Sequence, residues 1–189
     1  MRFYGATRPE AGKVINDDAF LCFGDRAVLL DGAGDARGAA KFCVDFLRKQ
    51  LKASPDMALS ELAGIANQFF LGANQESTLL ALHVQDSDLL TVASCGDSPL
   101  YLVREGRVEQ MNEITKPRLG NPYPGINYLA FPVRTGDIII GASDGLCLGS
   151  DHLLNAVQRT MLQPESMPEA ILQDQRDSFD DVTLVCAVI

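Results

Sequence analysis

Between residues 78 and 110 four runs of β-type residues, 78–84, 89–94, 100–103 and 107–110, follow one another almost without pause. Their connections are Asp86-Ser87-Asp88, Gly96-Asp97-Ser98-Pro99 and Glu105-Gly106. A parallel crossover needs about a dozen residues or more, so these strands can pair only antiparallel, as a meander joined by tight turns. That stretch excludes parallel crossovers.

The flanking segments extend the pattern. Residues 19–23 and 27–30 are rich in branched and aromatic side chains and are separated by Gly24-Asp25-Arg26, which predicts a hairpin. Over 36–52 the apolar residues Ala39, Ala40, Phe42, Cys43, Phe46, Leu47 and Leu51 recur at three-and-four spacing, the period of an amphipathic helix that Ser54-Pro55 ends. A second helix is expected over 57–71. Residues 113–127 carry Pro117, Gly120, Pro122, Pro124 and Gly125, too many breakers for regular structure, and predict an irregular surface loop that could face a substrate. Strands at 128–133 and 137–142, helices at 152–162 and 168–176, and a strand at 182–188 complete the chain. This order predicts an α+β fold: a layered α-β-β-α sandwich with two antiparallel sheets face to face and helices outside. A chain of 189 residues fits one core, and no repeat or linker marks a boundary, so 1–189 is expected to be a single domain.

Charge narrows the partners. The net charge is −9 and no block of Lys or Arg occurs, which leaves no electrostatic footprint for nucleic acid or an anionic membrane. Cations are the more natural ligands. Cys22, Cys43, Cys95, Cys147 and Cys186 are odd in number and far apart, the pattern of reduced thiols. With no signal-like start and no apolar run of membrane-spanning length, the expected location is cytoplasmic.

Aspartates mark the strand ends. Asn16-Asp17-Asp18 precedes the first hairpin, Asp31-Gly32 ends it, Asp144-Gly145 follows strand 138–142, and Asp180-Asp181 opens the last strand. The adjoining runs Val28-Leu29-Leu30, Ile138-Ile139-Ile140 and Leu184-Val185 belong to core strands, so rigid elements carry these carboxylates toward a common rim. Crowded without cations they would repel, and some would bind protons. An all-oxygen set suits Mg²⁺ or Mn²⁺ rather than zinc. Taken singly, each is also an ordinary turn: Asp-Gly is a common turn pair, and its glycine can serve a positive φ or a close backbone approach to an ion.

Seven segments in order, Asn16-Asp17-Asp18-Ala19, Asp31-Gly32-Ala33-Gly34, Ser77-Thr78-Leu79-Leu80, Gly96-Asp97-Ser98-Pro99-Leu100-Tyr101, Gly136-Asp137, Ala142-Ser143-Asp144-Gly145-Leu146 and Asp180-Asp181-Val182-Thr183-Leu184, together resemble the successive motifs of the type 2C metal-dependent protein phosphatases. The resemblance covers almost the whole chain. It implies hydrolysis of phosphoserine and phosphothreonine in proteins, and two cations per chain, Mg²⁺ or Mn²⁺. One would be held by Asp17, Asp31 and the Gly32 carbonyl, the other by Asp31, Asp144 and Asp180. Asp31 and Asp144 would thus be the catalytic carboxylates, with Asp18 supporting the ligands. Asp181 stands where the family often has Asn and stays outside the set. Such a pair of cations can acidify a shared water while neutralising the substrate's phosphoryl oxygens.

Several positions depart from the family. Lys13, four residues before Asp17, stands where an Arg usually binds phosphate, and an ammonium offers no two-pronged match to phosphate oxygens. Ala33 replaces a His found in some members and Asp35 a usual Gly. Asp97 matches a ligand of a third, looser cation, or is a hairpin-turn aspartate; Leu148 stands where that site's other acid is expected. His83 and His152 read as packing or solvent-facing residues. The departures keep two other functions open: a catalytically weak regulatory module that binds phosphoproteins, and a metal-dependent phosphoesterase for small molecules. A phosphoprotein substrate implies a serine/threonine kinase as a candidate partner.

Overall fold

Antiparallel pairing holds throughout the computed structural model, which describes residues 1–33, 38–175 and 179–189. The strands are β1 (Tyr4–Arg8), β2 (Ala19–Phe23), β3 (Arg26–Leu30), β4 (Gly32–Ala33), β5 (Glu76–Ser77), β6 (Leu79–Gln85), β7 (Leu89–Cys95), β8 (Leu100–Arg104), β9 (Arg107–Gln110), β10 (Asn127–Pro132), β11 (Ile138–Ala142) and β12 (Val182–Val188). The helices are α1 (Ala39–Ala53), α2 (Leu59–Ala73), α3 (Ser150–Thr160) and α4 (Met167–Asp174). One five-stranded sheet runs β1-β12-β11-β8-β9, the other β10-β7-β6-β3-β2, and β4 and β5 form a small ribbon.

The period of two along each strand builds the layers. In β6, Leu79 and Ala81 pack under α1 and α2, whereas Leu80 and Leu82 face the other sheet. In β11, Ile138 and Ile140 pack under α3 and α4, and Ile139 points between the sheets. Both faces of these strands are covered, which is why they read as continuous apolar runs instead of alternating. The result is the α-β-β-α sandwich.

The structure differs from the sequence expectations in four places. First, β1 is an unanticipated strand; it pairs with β12, Tyr4 opposite Cys186 through Arg8 opposite Val182. Second, the four-strand run is two hairpins, β6-β7 and β8-β9, in different sheets, so Gly96-Asp97-Ser98-Pro99 is a crossing between sheets and not a hairpin turn. Third, α1 buries Ala40, Cys43, Val44, Leu47 and Leu51, leaving Phe42 68% exposed and Phe46 stacked at 6.3 Å on Phe69 of α2. Fourth, loop 113–127 is irregular but anchored: Leu119 is fully buried and bridges to Ser77. The expectations for Gly34, Asp35 and the helix ends at Ala36 and Arg176 lie outside the described residues.

Candidate metal centre

Strand register brings the carboxylates together in pairs. Ala19 lies opposite Leu30 in the β2-β3 hairpin, so the flanking residues, Asp18 and Asp31, emerge side by side from one sheet. In the other sheet Ala142 lies opposite Leu184, and Ser143 N–H donates to the Thr183 carbonyl at 2.9 Å, so Asp144 and the Asp180-Asp181 pair emerge together. The sandwich sets one pair against the other. Across the sheets the Asp31 and Asp144 carboxyls lie close enough to shift one another's proton affinity.

Backbone contacts fix Asp31. Its carbonyl accepts from Thr78 N at 2.9 Å and Ser77 Oγ at 2.8 Å, its N–H donates to Thr78 Oγ1, and Gly32 pairs with Ser77. Asp144 sits on a turn held by Gln175, a buried side chain whose amide donates to the Gly145 carbonyl and accepts from Cys147 N. No local pattern pointed to Gln175. Gly145 does not serve a positive φ; a Cβ there would lie 2.1 Å from the Asp181 carbonyl oxygen.

The cluster is electrostatically crowded. Burial, and then the charges of Asp18, Asp144 and Asp180, push the Asp31 carboxyl up to about 9 against the pull of Arg118. Burial likewise lifts Asp18 to about 7, with the nearby Ser143 and Thr183 side chains opposing the rise and Asp181 and Asp180 adding to it. Asp144 reaches solvent, yet the protein packed around its carboxyl, then Asp97 and Asp180, raise it too. Asp18 is only 6% exposed, and its Oδ2 has no hydrogen-bond partner among the described residues. A buried carboxylate oxygen without a donor is costly, and a cation would satisfy it. The donor set and this unpartnered oxygen therefore fit Mg²⁺ or Mn²⁺. Among the described residues, no three acidic, His or Cys side chains are already gathered as a cation cage.

Asp17 differs from its neighbour. Its Oδ1 accepts from Gly38 N at 3.0 Å and its Oδ2 lies 2.9 Å from Lys13 Nζ. Lys13 also donates to Asp181 Oδ2 at 2.8 Å. Asp181, nearly fully buried, accepts in addition from Glu10 N and Asp17 N at 2.8 and 2.7 Å. This organising role was not foreseen, although the doubled Asp180-Asp181 was its visible trace.

Asp97, on the sheet crossing, accepts from Arg118 Nη2 at 2.6 Å, and its Oδ1 is buried without a partner among the described residues. Leu148 packs against the apolar layer under α3 and α4, and Ala33 lies on β4 opposite Glu76. His83 approaches Asp25 at the turn of the β2-β3 hairpin, the end remote from Asp31, and His152 is exposed on α3. A groove of about 620 Å³ opens beside Asp18, lined by Val14, Ile15, Asn16, Lys41 and Phe42.

The sequence pattern of the family described as Stage II sporulation protein E (SpoIIE) matches residues 27–189. No curated protein matches the sequence. Among solved structures, the Ser-Thr phosphatase MsPP from Mycobacterium smegmatis, in complex with cacodylate, superposes with a TM-score of 0.84 at 22% identity, covering 97% of this chain and 96% of that one. The catalytic domain of the serine threonine protein phosphatase PstP, in complex with two manganese ions, gives 0.81 at 18% identity over 99% and 97%. PppA, described as a key regulatory component of T6SS in Pseudomonas aeruginosa, gives 0.82 at 21% over 100% and 97%. These likenesses share one fold.

Proposed function

The chain belongs to the Stage II sporulation protein E (SpoIIE) family, among the type 2C phosphatases, and from that premise we propose that it hydrolyses phosphoserine and phosphothreonine in proteins with two divalent cations, Mg²⁺ or Mn²⁺, at the acidic rim. The unpartnered Oδ2 of Asp18, buried in a cluster of carboxyls forced upward by one another, carries this reading. Asp31 would serve both cations, with Asp144 and Asp180 toward one and the Gly32 carbonyl toward the other, which Asp17 would join by giving up its contact with Lys13. When bound, the cations would supply charge against the phosphoryl oxygens and acidify the attacking water.

The chain's own residues do the positioning. Asp18 offers its open oxygen, while Lys13 and Gly38 hold Asp17 in place until a cation binds. An ammonium has three donors, and Lys13 spends two of them on Asp17 and Asp181, which leaves one for a phosphoryl oxygen. The groove beside Asp18, with Val14, Ile15 and Phe42 exposed along it, suits the residues flanking a phosphoserine better than a small molecule. In this reading 1–189 is one catalytic unit, cytoplasmic by its five unpaired cysteines, with a kinase supplying its substrate.

Hydrolysis of a phosphothreonine peptide and of para-nitrophenyl phosphate, each with Mn²⁺ and with chelator, tests the proposal. Peptide hydrolysis that needs Mn²⁺ is the expected result; full activity in chelator would overturn it. Hydrolysis of the small ester alone would point to a small-molecule phosphoesterase. A second reading, a catalytically weak phosphoprotein-binding module, draws on the commitment of Lys13 to Asp17 and Asp181. Peptide binding without turnover at saturating Mn²⁺ would favour it.

A further inference from the structure

Loop 113–127 brings a guanidinium to the acidic rim. The backbone beside Arg118 is fixed: Leu119 N donates to the Ser77 carbonyl at 3.0 Å, Ser77 N returns a bond to the Leu119 carbonyl, and Gly120 N donates to Asn67 Oδ1 at 2.8 Å. Gly120 has φ +93 and could carry no side chain, because a Cβ would lie 2.0 Å from the Gln75 carbonyl oxygen. Ser77 is also the residue whose hydroxyl holds the Asp31 carbonyl. Arg118 and Asp31 are therefore mounted on the same short ribbon.

From this mount Arg118 Nη2 reaches Asp97 Oδ2 at 2.6 Å, with the two side chains 28% and 23% exposed. Partial burial works against its charge, but Asp97, Asp31 and Asp144 favour it. The resemblance to the type 2C phosphatases offers Asp97 to a third cation. The structure disagrees on two counts: the other acid of that site is Leu148, turned to the apolar layer, and Asp97 already holds a positive charge. A divalent ion brought against a bound guanidinium meets like-charge repulsion in a partly desolvated site. The second oxygen of Asp97 is open, but the field there is no longer that of a bare carboxylate.

We propose that Arg118 replaces a third cation: its guanidinium holds Asp97, closes that position to metal, and leaves the site with two ions. The proposal rests on the two-cation reading above. Arg118 is thus a positioning residue that supplies permanently a charge that a loosely bound ion would supply only when present.

Titration calorimetry of the full chain with Mn²⁺ provides the test, on the wild type, Arg118→Met, Asp97→Asn and the double variant. Asp97→Asn should bind as many ions as the wild type, Arg118→Met should gain one further, weaker ion, and the double variant should lose it again. A smaller count in Asp97→Asn, or an unchanged count in Arg118→Met, would overturn the replacement. A wild type that takes up no Mn²⁺ would instead sink the two-cation reading, and melting curves in chelator then decide Arg118 alone. There Arg118→Met should melt about 2–4 °C below the wild type, with partial recovery on adding Asp97→Asn. Arg118→Met melting at or above the wild type overturns the ion pair's role.

Discussion

Lys13 Nζ meets Asp181 Oδ2 at 2.8 Å, and the same oxygen receives the backbone N–H of Asp17 at 2.7 Å. Asp181 opens β12 in one sheet, whereas the segment before β2 leads into the other. One buried carboxylate thereby ties the strand that bears Asp180 to the segment that bears Asp17 and Asp18. Partial burial disfavours the Lys13 charge, but Asp181 and Asp17 outweigh it and raise the ammonium above its ordinary value.

A double-mutant cycle on Lys13→Met and Asp181→Asn should therefore show coupling of about 0.5–3 kcal/mol in denaturant unfolding without metal. Coupling within error of zero would mean that solvent screens the pair.

Asp31→Asn and Asp144→Asn should each lower turnover of a phosphothreonine peptide by about 100-fold or more, with unchanged circular dichroism, since each removes a ligand charge and no core packing. Near wild-type turnover at saturating Mn²⁺ would refute the ligand assignment. In the wild type, Mn²⁺ at about 100 times its dissociation constant adds about 2.7 kcal/mol, or roughly 5–10 °C in melting temperature. A melting curve indifferent to Mn²⁺ would count against the cluster.

Gly145→Ala tests how closely the two carboxylate turns are fitted. Its Cβ would lie 2.1 Å from the Asp181 carbonyl oxygen, so the Asp144 turn must retreat from the start of β12. We expect stability to fall by about 1–3 kcal/mol and Mn²⁺ affinity to fall with it. Unchanged metal titration would show that the turn yields without moving Asp144.

Asp137 predicts a pH dependence remote from the cluster. Burial pushes its carboxyl up, but hydrogen bonds from Arg104 and the Arg134 N–H, with both guanidinium charges, hold it below the usual carboxylate range. A depressed folded-state pKa gives stability that is present above the unfolded value, about 3.9, and lost as pH falls through the folded one. Asp137→Asn should melt about 2–4 °C below the wild type at pH 7, a modest change because both arginines reach solvent. The two curves should converge as pH falls through the depressed folded-state value, and a gap that stays constant through acid would assign the effect to packing.

The β2-β3 hairpin was legible because a Gly-Asp turn separates two β-branched runs, and its register alone sets Asp18 beside Asp31. β1 was not, because Tyr4-Gly5-Ala6-Thr7-Arg8 has little strand character of its own and depends on β12 for its pairing. Helical spacing put Phe42 in the apolar stripe of α1, but spacing cannot say which side of a broad stripe the sheet covers. Gly96-Asp97-Ser98-Pro99 looked like a hairpin turn because a turn and a crossing between sheets use the same breakers. Arg118 and Gln175 carried no local signal, since each acts on a partner at least 21 positions away in the chain.

Asp18 and Asp31 ride on one sheet, Asp144 and Asp180 on the other, and the span between them is set by the hydrocarbon in the middle. Leu29, Leu80, Leu82, Ile139 and Val185 fill that layer, and β11 admits Leu80 so closely at Gly141 that a Cβ there would lie 2.6 Å from its Cδ2. The cluster thus works as a caliper whose jaws are opened or closed by methyl groups. A substitution in this layer can alter the spacing of the two pairs while touching no carboxylate, so the geometry of the acidic rim is written partly in side-chain volume.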